Sequence, residues 1–167
     1  RDHNEDSVVI TKNEADEYLL AVADGMGGHQ AGEVAAKLAT VYLSNAFSKI
    51  KSIGTKKDAV KWIEDAAAEI NNNIFKYTEE NPDSKGMGST LVVCVFTGEF
   101  LVFGNIGDSS GYVLKNKKLH KVTTDHTLVN LLVKTGELSE EEAKNHPKKN
   151  VLMKALGANN PVEIDIF

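Results

Sequence analysis

The sequence predicts an α+β fold in which helices and antiparallel β-sheets occupy separate stretches of the chain. Two amphipathic patterns come early, one that begins near Gly32 and a longer one over residues 56–77, each with apolar residues at helical spacing. Two apolar runs follow at 90–96 and 100–106, and the short glycine-containing turn between them is typical of a β-hairpin. Because the helices and hairpins are segregated along the chain, a doubly wound parallel sheet is disfavoured.

Shorter patterns complete this prediction. A run that is almost wholly apolar at 18–23 predicts a strand covered on both faces. A second hairpin is predicted across 111–122, a helix over 128–135 that stops at Gly136, and another helix that opens at a capping box and ends by Pro147. In that box Ser139 is the N-cap and Glu142 its partner.

Length and composition favour one globular domain over residues 1–167. The 167 residues carry a formal net charge of −5, with 41% hydrophobic and 26% charged residues. A mildly acidic chain without a basic run is a poor candidate for binding nucleic acid, and no apolar run approaches the roughly 20 residues of a membrane span.

Cys94 is the only cysteine, which fits a reducing compartment, and we expect a cytoplasmic location. Apolar and acidic residues alternate over 162–167, as in a half-buried strand, and no turn follows them. We therefore expect the domain to be truncated at its C-terminus.

A glycine-rich turn, Asp24-Gly25-Met26-Gly27-Gly28, follows the predicted buried strand. It fails two tests for a nucleotide site, because Glu33 stands where a phosphate loop needs Lys and Gln30 stands where a dinucleotide fingerprint needs Gly. The turn offers a carboxylate and backbone carbonyls, which are the oxygen ligands that Mg²⁺ or Mn²⁺ prefers. A turn whose Asp24 merely caps the next helix is the alternative reading.

Two further groups of acidic residues are candidates for the same site. Arg1 precedes Glu5 and Asp6, and Asp108 follows a predicted buried strand. Taken alone, the first group is typical of a surface ion pair and the second of an Asx turn. If the strands bring these carboxylates together with Asp24, metal ions are needed to offset their mutual repulsion.

As a set, these motifs resemble the metal-dependent protein phosphatases of type 2C (the PPM serine/threonine phosphatases), in particular the bacterial ones. The matching motifs occur in the family's order along nearly the whole chain: RDHNEDS at 1–7, ADGMGG at 23–28, MGST at 87–90, GNIGDS at 104–109, and then TDH at 124–126, HP at 146–147, NVL at 150–152 and ALG at 155–157.

The resemblance implies two packed antiparallel β-sheets flanked by helices and a centre of two, or three, Mn²⁺ or Mg²⁺ ions. Asp24 would bridge two ions and the Gly25 carbonyl would bind one of them. Glu5 and Asp6 would hold metal-bound waters, and Asp108 would help to hold a third, weaker ion. A metal-bridged water would attack phosphorus in line, with no covalent intermediate.

The resemblance also implies how substrates and partners are recognised. Arg1 would bind the substrate phosphate, since an Arg fork matches phosphate oxygens. Residues 126–157 would form a flap that shapes the choice of phosphoprotein substrate, a cognate serine/threonine kinase is implied, and we expect a monomer. The family's later metal-binding aspartates belong to segments that would follow Phe167.

Hydrolysis of phosphoserine and phosphothreonine in proteins is therefore the predicted function. A catalytically incomplete phosphatase-fold binding or regulatory module is the alternative, and a nucleotide-binding domain is a third reading that Glu33 and Gln30 disfavour. Met26 replaces a His that is a proposed general acid in many eukaryotic members, and Ser110 replaces a frequent Arg. His29 is a candidate for that acid role, with a surface residue at a helix start as the favoured interpretation.

Overall fold

The computed structural model of the chain describes residues 3–167, so Arg1 and Asp2 lie outside the described residues. The described strands are β1 Asp6–Lys12, β2 Tyr18–Met26, β3 Gly88–Ser89, β4 Leu91–Phe96, β5 Leu101–Ile106, β6 Tyr112–Lys115, β7 Lys118–Lys121 and β8 Asp165–Ile166. The helices are α1 Ala31–Ser48, α2 Lys56–Glu80, α3 Leu128–Lys134 and α4 Glu140–Lys144.

The strands form two antiparallel sheets. The larger sheet has the order β1-β2-β4-β5-β8, with β3 paired to the end of β2, and the smaller one is the β6–β7 hairpin. Helices and antiparallel strands are thus segregated along the chain, and the predicted α+β class is confirmed.

One face of the larger sheet packs against α1 and α2. Side chains alternate along β2, so that Leu19, Ala21 and Ala23 are buried while Leu20 and Val22 point to the other face and are 39% and 41% exposed. The prediction that this strand is covered on both faces is therefore wrong for the described residues. These buried strand residues pack against the apolar stripes of the two helices. The fully buried helix residues in those stripes are Phe47, Leu43, Ile63, Ile70 and Ile74. Alternation in the strands and helical spacing in α1 and α2 therefore build one core between two layers.

The opposite face of the larger sheet is also apolar. Val8 is 70% exposed and Ile10 is 72% exposed on β1. Gly111, the residue before β6, lies against the Phe103 ring on the same side of the sheet. A Cβ at Gly111 would come within 2.7 Å of that ring, so the small residue permits the close approach of the second sheet.

Two predicted ends differ from the structure, those of β2 and α4, and the start of α2 carries a signal that the prediction did not use. β2 continues through Asp24 to Met26, because Gly25 and Met26 pair with β3; the predicted glycine-rich turn is therefore shorter and begins at Gly27. Thr55 and Asp58 form a capping box that fixes the start of α2, a signal that we had not used. Ser139 caps α4 as predicted, since its hydroxyl accepts the Glu142 N–H at 3.1 Å, but the helix already ends at Lys144, before Pro147.

Between residues 3 and 167, none of the helices combines the length and the apolar character that crossing a membrane requires.

The core packing predicts that Ile70→Ala lowers the free energy of unfolding by about 2–5 kcal/mol, because Ile70 is fully buried between α2 and the sheet and its truncation leaves a cavity. Val41→Ala on α1 is the control: Val41 is 55% exposed, and we expect a change within about 0.5 kcal/mol. Urea denaturation of both variants measures the difference, and equal losses would show that α2 does not pack as described.

Candidate metal centre at one edge of the sheet

The first two acidic segments meet at the end of the β1–β2 hairpin. Asp6 and Asp24 are directly opposite in the antiparallel register of β1 and β2. Just before Asp6, the Glu5 carbonyl accepts the Gly25 N–H at 3.2 Å. Since residues directly opposite in such a pair have their Cβ atoms about 5 Å apart, the pairing brings Asp6, Asp24 and the Gly25 backbone to one edge of the sheet.

The start of α1 packs directly on this edge. A Cβ at Gly25 would overlap the Gly32 carbonyl oxygen, and a Cβ at Gly32 would lie 2.7 Å from the Met26 nitrogen and 3.0 Å from the Glu5 Cδ. Both glycines therefore let the backbones of β2 and α1 touch, and they leave room for the buried Glu5 carboxylate at the first turn of the helix. The positive end of the helix dipole favours a carboxylate there.

Thr90 connects Asp24 to the third acidic segment. Its backbone N–H donates to the Asp24 carbonyl at 3.0 Å, and its hydroxyl accepts the Asp24 N–H at 3.0 Å. The same Oγ1 lies 2.7 Å from the Ser109 Oγ, next to Asp108. Thr90 is only 2% exposed, so these bonds hold the backbone of Asp24 and the 107–109 turn in a fixed relation.

Asp108 is a surface carboxylate with a perturbed pKa. Nearby protein atoms partly desolvate its exposed side chain, and this desolvation raises its pKa; the negative charges of Asp24 and Asp125 raise it further. The charge of Asp24 therefore adds to desolvation in disfavouring the ionised form of Asp108. A cation near both carboxylates would offset this effect.

The structure therefore brings together Glu5, Asp6, Asp24, Gly25 and Asp108, whereas the predicted site residue Arg1 lies outside the described residues. Across residues 3–167, no group of three or more His, Cys, Asp or Glu side chains is arranged to hold a metal ion by itself. The available donors are carboxylate and carbonyl oxygens, which fit a hard divalent ion that keeps several waters.

Ser110, which departs from the family pattern, takes part in a different local pairing. Its hydroxyl donates to Asp125 at 2.8 Å, and the other oxygen of Asp125 pairs with Lys121 at 2.9 Å. Asp125 is thereby held by β7 and by the segment before β6.

Two other side chains with reactive groups are those of Cys94 and His29. Burial raises the pKa of the Cys94 thiol to about 11, so the thiol stays protonated at neutral pH and is a poor nucleophile. His29 is exposed in the turn before α1, which agrees with its interpretation as a surface residue.

Sequence reasoning missed the residues that hold the acidic segments in place. Thr90, Asn105 and His126 were recognised only as parts of motifs, and each bonds to residues distant in sequence or to a turn that the sequence does not define. The MGST and TDH motifs were the available signal for Thr90 and His126, but no spacing rule links them to Asp24 or Asp108.

Comparison with known proteins identifies the family. A model of the protein phosphatase 2C family matches residues 1–159. The chain belongs to the protein phosphatase 2C family. The serine/threonine phosphatase stp of Listeria monocytogenes is 42% identical over 167 residues, which are 100% of this chain and 66% of that relative.

Solved structures of this family share the fold. The serine/threonine phosphatase Stp1 from Staphylococcus aureus matches with a TM-score of 0.91 at 38% identity, covering 100% of this chain and 65% of that one. The catalytic domain of the protein phosphatase PstP, solved in complex with 2 manganese ions, matches with a TM-score of 0.81 at 36% identity, covering 100% of this chain and 66% of that one. The chain thus spans about two thirds of the length of these relatives.

The raised pKa predicts that Asp108→Asn stabilises the metal-free protein at neutral pH. Folding disfavours the ionised carboxyl at any pH above its folded-state pKa, and this penalty disappears below about pH 4, where the carboxyl is protonated in both states. Because Asp108 is exposed, we expect a gain of less than about 1 kcal/mol.

Urea unfolding at pH 7 and at the lowest pH that retains the fold measures this gain, with the surface substitution Asp83→Asn as the control. An equal gain at both pH values, or an equal gain in the control, would contradict the raised pKa of Asp108.

Proposed function

We propose that the full chain, meaning the whole protein that contains residues 1–167, is a metal-dependent serine/threonine protein phosphatase. It would remove phosphate from phosphoserine and phosphothreonine in proteins. The observation that carries this proposal is the convergence of Asp24 and Asp108, linked through Thr90, beside Glu5 and the Gly25 backbone. Membership of the protein phosphatase 2C family supports the same reaction.

Mn²⁺ or Mg²⁺ ions are the proposed cofactors, two in number with a third, weaker one. Asp24 and the Gly25 carbonyl would hold the first two ions directly, Glu5 and Asp6 would orient waters beside them, and Asp108 would help to hold the third. When bound, such ions acidify a water and neutralise charge on the transferring phosphoryl group. The Glu5 carboxylate is largely buried and lies against Gly32 at the start of α1, so it is suited to orienting a water there.

Arg1 is the proposed phosphate ligand. It is the only arginine in the sequence, so no other guanidinium of these 167 residues is available for a bidentate contact with phosphate oxygens. The guanidinium of an Arg can donate two parallel hydrogen bonds to two phosphate oxygens, and this pair of bonds fixes the orientation of the phosphate for in-line attack.

Residues 126–157 are the proposed flap for substrate choice, within a single catalytic domain. This segment contains α3 and α4, and it returns to the metal-site edge where Leu156 and Ser89 exchange backbone hydrogen bonds of 2.8 and 3.1 Å. Phosphoproteins and a cognate serine/threonine kinase are the proposed partners of a cytoplasmic, monomeric enzyme.

A phosphatase-fold binding module remains the second candidate. It is favoured by the lack, within residues 3–167, of a ligand cluster that would hold a metal without further groups. Hydrolysis of a phosphothreonine peptide by the full chain, with Mn²⁺ and with EDTA, separates the two. Mn²⁺-dependent turnover supports the enzyme, and peptide binding without turnover supports the module.

Asp24→Asn is expected to abolish metal-dependent turnover, because one neutral amide cannot bridge two dications. Initial rates across a Mn²⁺ titration measure the effect. Asp16→Asn is the control, since Asp16 lies in the turn between β1 and β2, at the other end of the same hairpin, and pairs there with Lys12. A rate near that of the wild type in the Asp24 variant would mean that Asp24 has only a structural role.

Arg1→Ala is expected to raise KM for the phosphopeptide by more than it lowers kcat, because it removes binding energy from the phosphate rather than from the reacting water. Arg1→Lys, which keeps the charge and loses the fork, should fall between Arg1→Ala and the wild type. Steady-state kinetics of the three proteins test this order, and an unchanged KM in Arg1→Ala would remove Arg1 from the site.

A further inference from the structure

His126 has a nearly buried side chain between two segments that are far apart in sequence. Its side chain is 10% exposed, and the ring nitrogens contact Gly107 on one side and Asp165 in β8 on the other. The proposed chemistry assigns no role to either His126 or Asp165.

The hydrogen bonds fix the tautomer of the ring. Nδ1 accepts the Gly107 backbone N–H at 2.9 Å, so Nδ1 carries no proton. The proton of the neutral ring is then on Nε2, which donates to the Asp165 carboxylate at 2.7 Å. Asp165 is 45% exposed, so solvent screens its charge and an ion pair would add little stability. Its contribution is to orient the ring.

The turn at Gly107, which His126 contacts, depends on contacts from outside the turn for its conformation. Gly107 has a φ of +108°, a region that side chains rarely adopt, and a Cβ there would lie 2.7 Å from the Thr90 side chain. A glycine in such a turn is intrinsically free to adopt other conformations. The turn therefore needs partners from elsewhere in the fold.

His126 supplies partners to both polar atoms of Gly107. The ring accepts its N–H, and the backbone N–H of His126 donates to its carbonyl at 2.8 Å. The Asn105 amide also donates to that carbonyl, at 3.2 Å. Since the Gly107 carbonyl belongs to the peptide bond that leads into Asp108, these bonds set the direction in which Asp108 leaves the turn.

Asp165 is itself fixed by the sheet. It lies opposite Asn105 in the register of β5 and β8, and Phe103 and Phe167 exchange backbone hydrogen bonds of 2.8 and 2.9 Å two pairs further along. The ring of His126 is thus oriented by the same sheet that carries the Gly107–Asp108 turn.

We propose that His126, oriented by Asp165, is a positioning residue that holds the Gly107–Asp108 turn and thereby sets the metal affinity contributed by Asp108. This inference rests on the proposed function, in which Asp108 helps to hold a divalent ion. Hydrogen-bonding partners behind a metal ligand commonly change metal affinity by about 10–100-fold when they are removed.

Two substitutions at His126 separate its two hydrogen bonds. Asn carries an acceptor oxygen near the position of Nδ1, so His126→Asn keeps the bond to Gly107 and loses the contact with Asp165. Gln carries a donor near the position of Nε2, so His126→Gln keeps the contact with Asp165 and loses the acceptor for Gly107. Both variants remove the ring, so a general effect of packing should be similar in the two.

The first measurement is hydrogen exchange of the Gly107 amide in the metal-free full chain. His126→Gln is expected to lose protection at Gly107, and His126→Asn to retain it. The second is Mn²⁺ binding, followed by electron paramagnetic resonance of free Mn²⁺, together with the Mn²⁺ concentration for half-maximal phosphopeptide hydrolysis. His126→Gln should weaken the Asp108-dependent affinity by about 10–100-fold, and His126→Asn should stay close to the wild type.

Equal behaviour of the two variants, or an unchanged Mn²⁺ affinity in His126→Gln, would overturn the positioning role. Failure of the proposed function gives a different result: the wild type would then lack metal-dependent hydrolysis, while amide exchange and Mn²⁺ binding would still report on His126. Asp165→Ala extends the test. It leaves the ring without the acceptor that fixes its orientation and tautomer, so it should weaken Mn²⁺ binding in the wild type but not in His126→Asn, which has no ring to orient.

Discussion

The backbones of Gly25 and Gly32 touch where β2 meets the first turn of α1, and most of the site depends on that contact. Any side chain at either position would push the helix off the sheet, because the space of each Cβ is already occupied by backbone or by Glu5. The close approach packs α1 over Leu19, Ala21 and Ala23, and it places the Glu5 carboxylate at the positive end of the helix. One backbone contact thus links the hydrophobic core to the edge of the sheet that carries Glu5, Asp6 and Asp24.

The acidic edge is held together by hydrogen bonds rather than by its own charges. Desolvation and, after it, the charge of Asp24 raise the pKa of Asp108, so the ionised carboxylate is disfavoured in the position where it is found. Thr90 bonds to both sides of the Asp24 backbone and to Ser109, and His126 bonds to both polar atoms of Gly107. This pattern, in which neutral hydrogen-bonding groups maintain an electrostatically unfavourable arrangement, is expected where a cation is to bind.

Most of the fold could be predicted from local patterns. The spacing of apolar residues gave α1 and α2 to within a few residues, and alternation with turn residues gave the two hairpins. The errors lie where pairing partners are distant: β2 runs on through Gly25 because β3, more than sixty residues later, pairs with it. Asp24, Gly25 and Asp108 could be nominated because an acid or a carbonyl at a strand end is visible in the sequence, whereas Thr90 and His126 act only through contacts with residues 19 to 66 positions away.

By itself, the sequence determined the class of fold, the family resemblance and the chemical type of the site, because periodicity, turn residues and the identity of oxygen donors are local properties of the chain. Only the tertiary structure decided that Asp6 lies opposite Asp24, that the Glu5 carboxylate lies against Gly32, and that His126 bridges Gly107 and Asp165. Register and close backbone approach depend on how the sheet and helices pack as a whole, and no spacing along the chain encodes them.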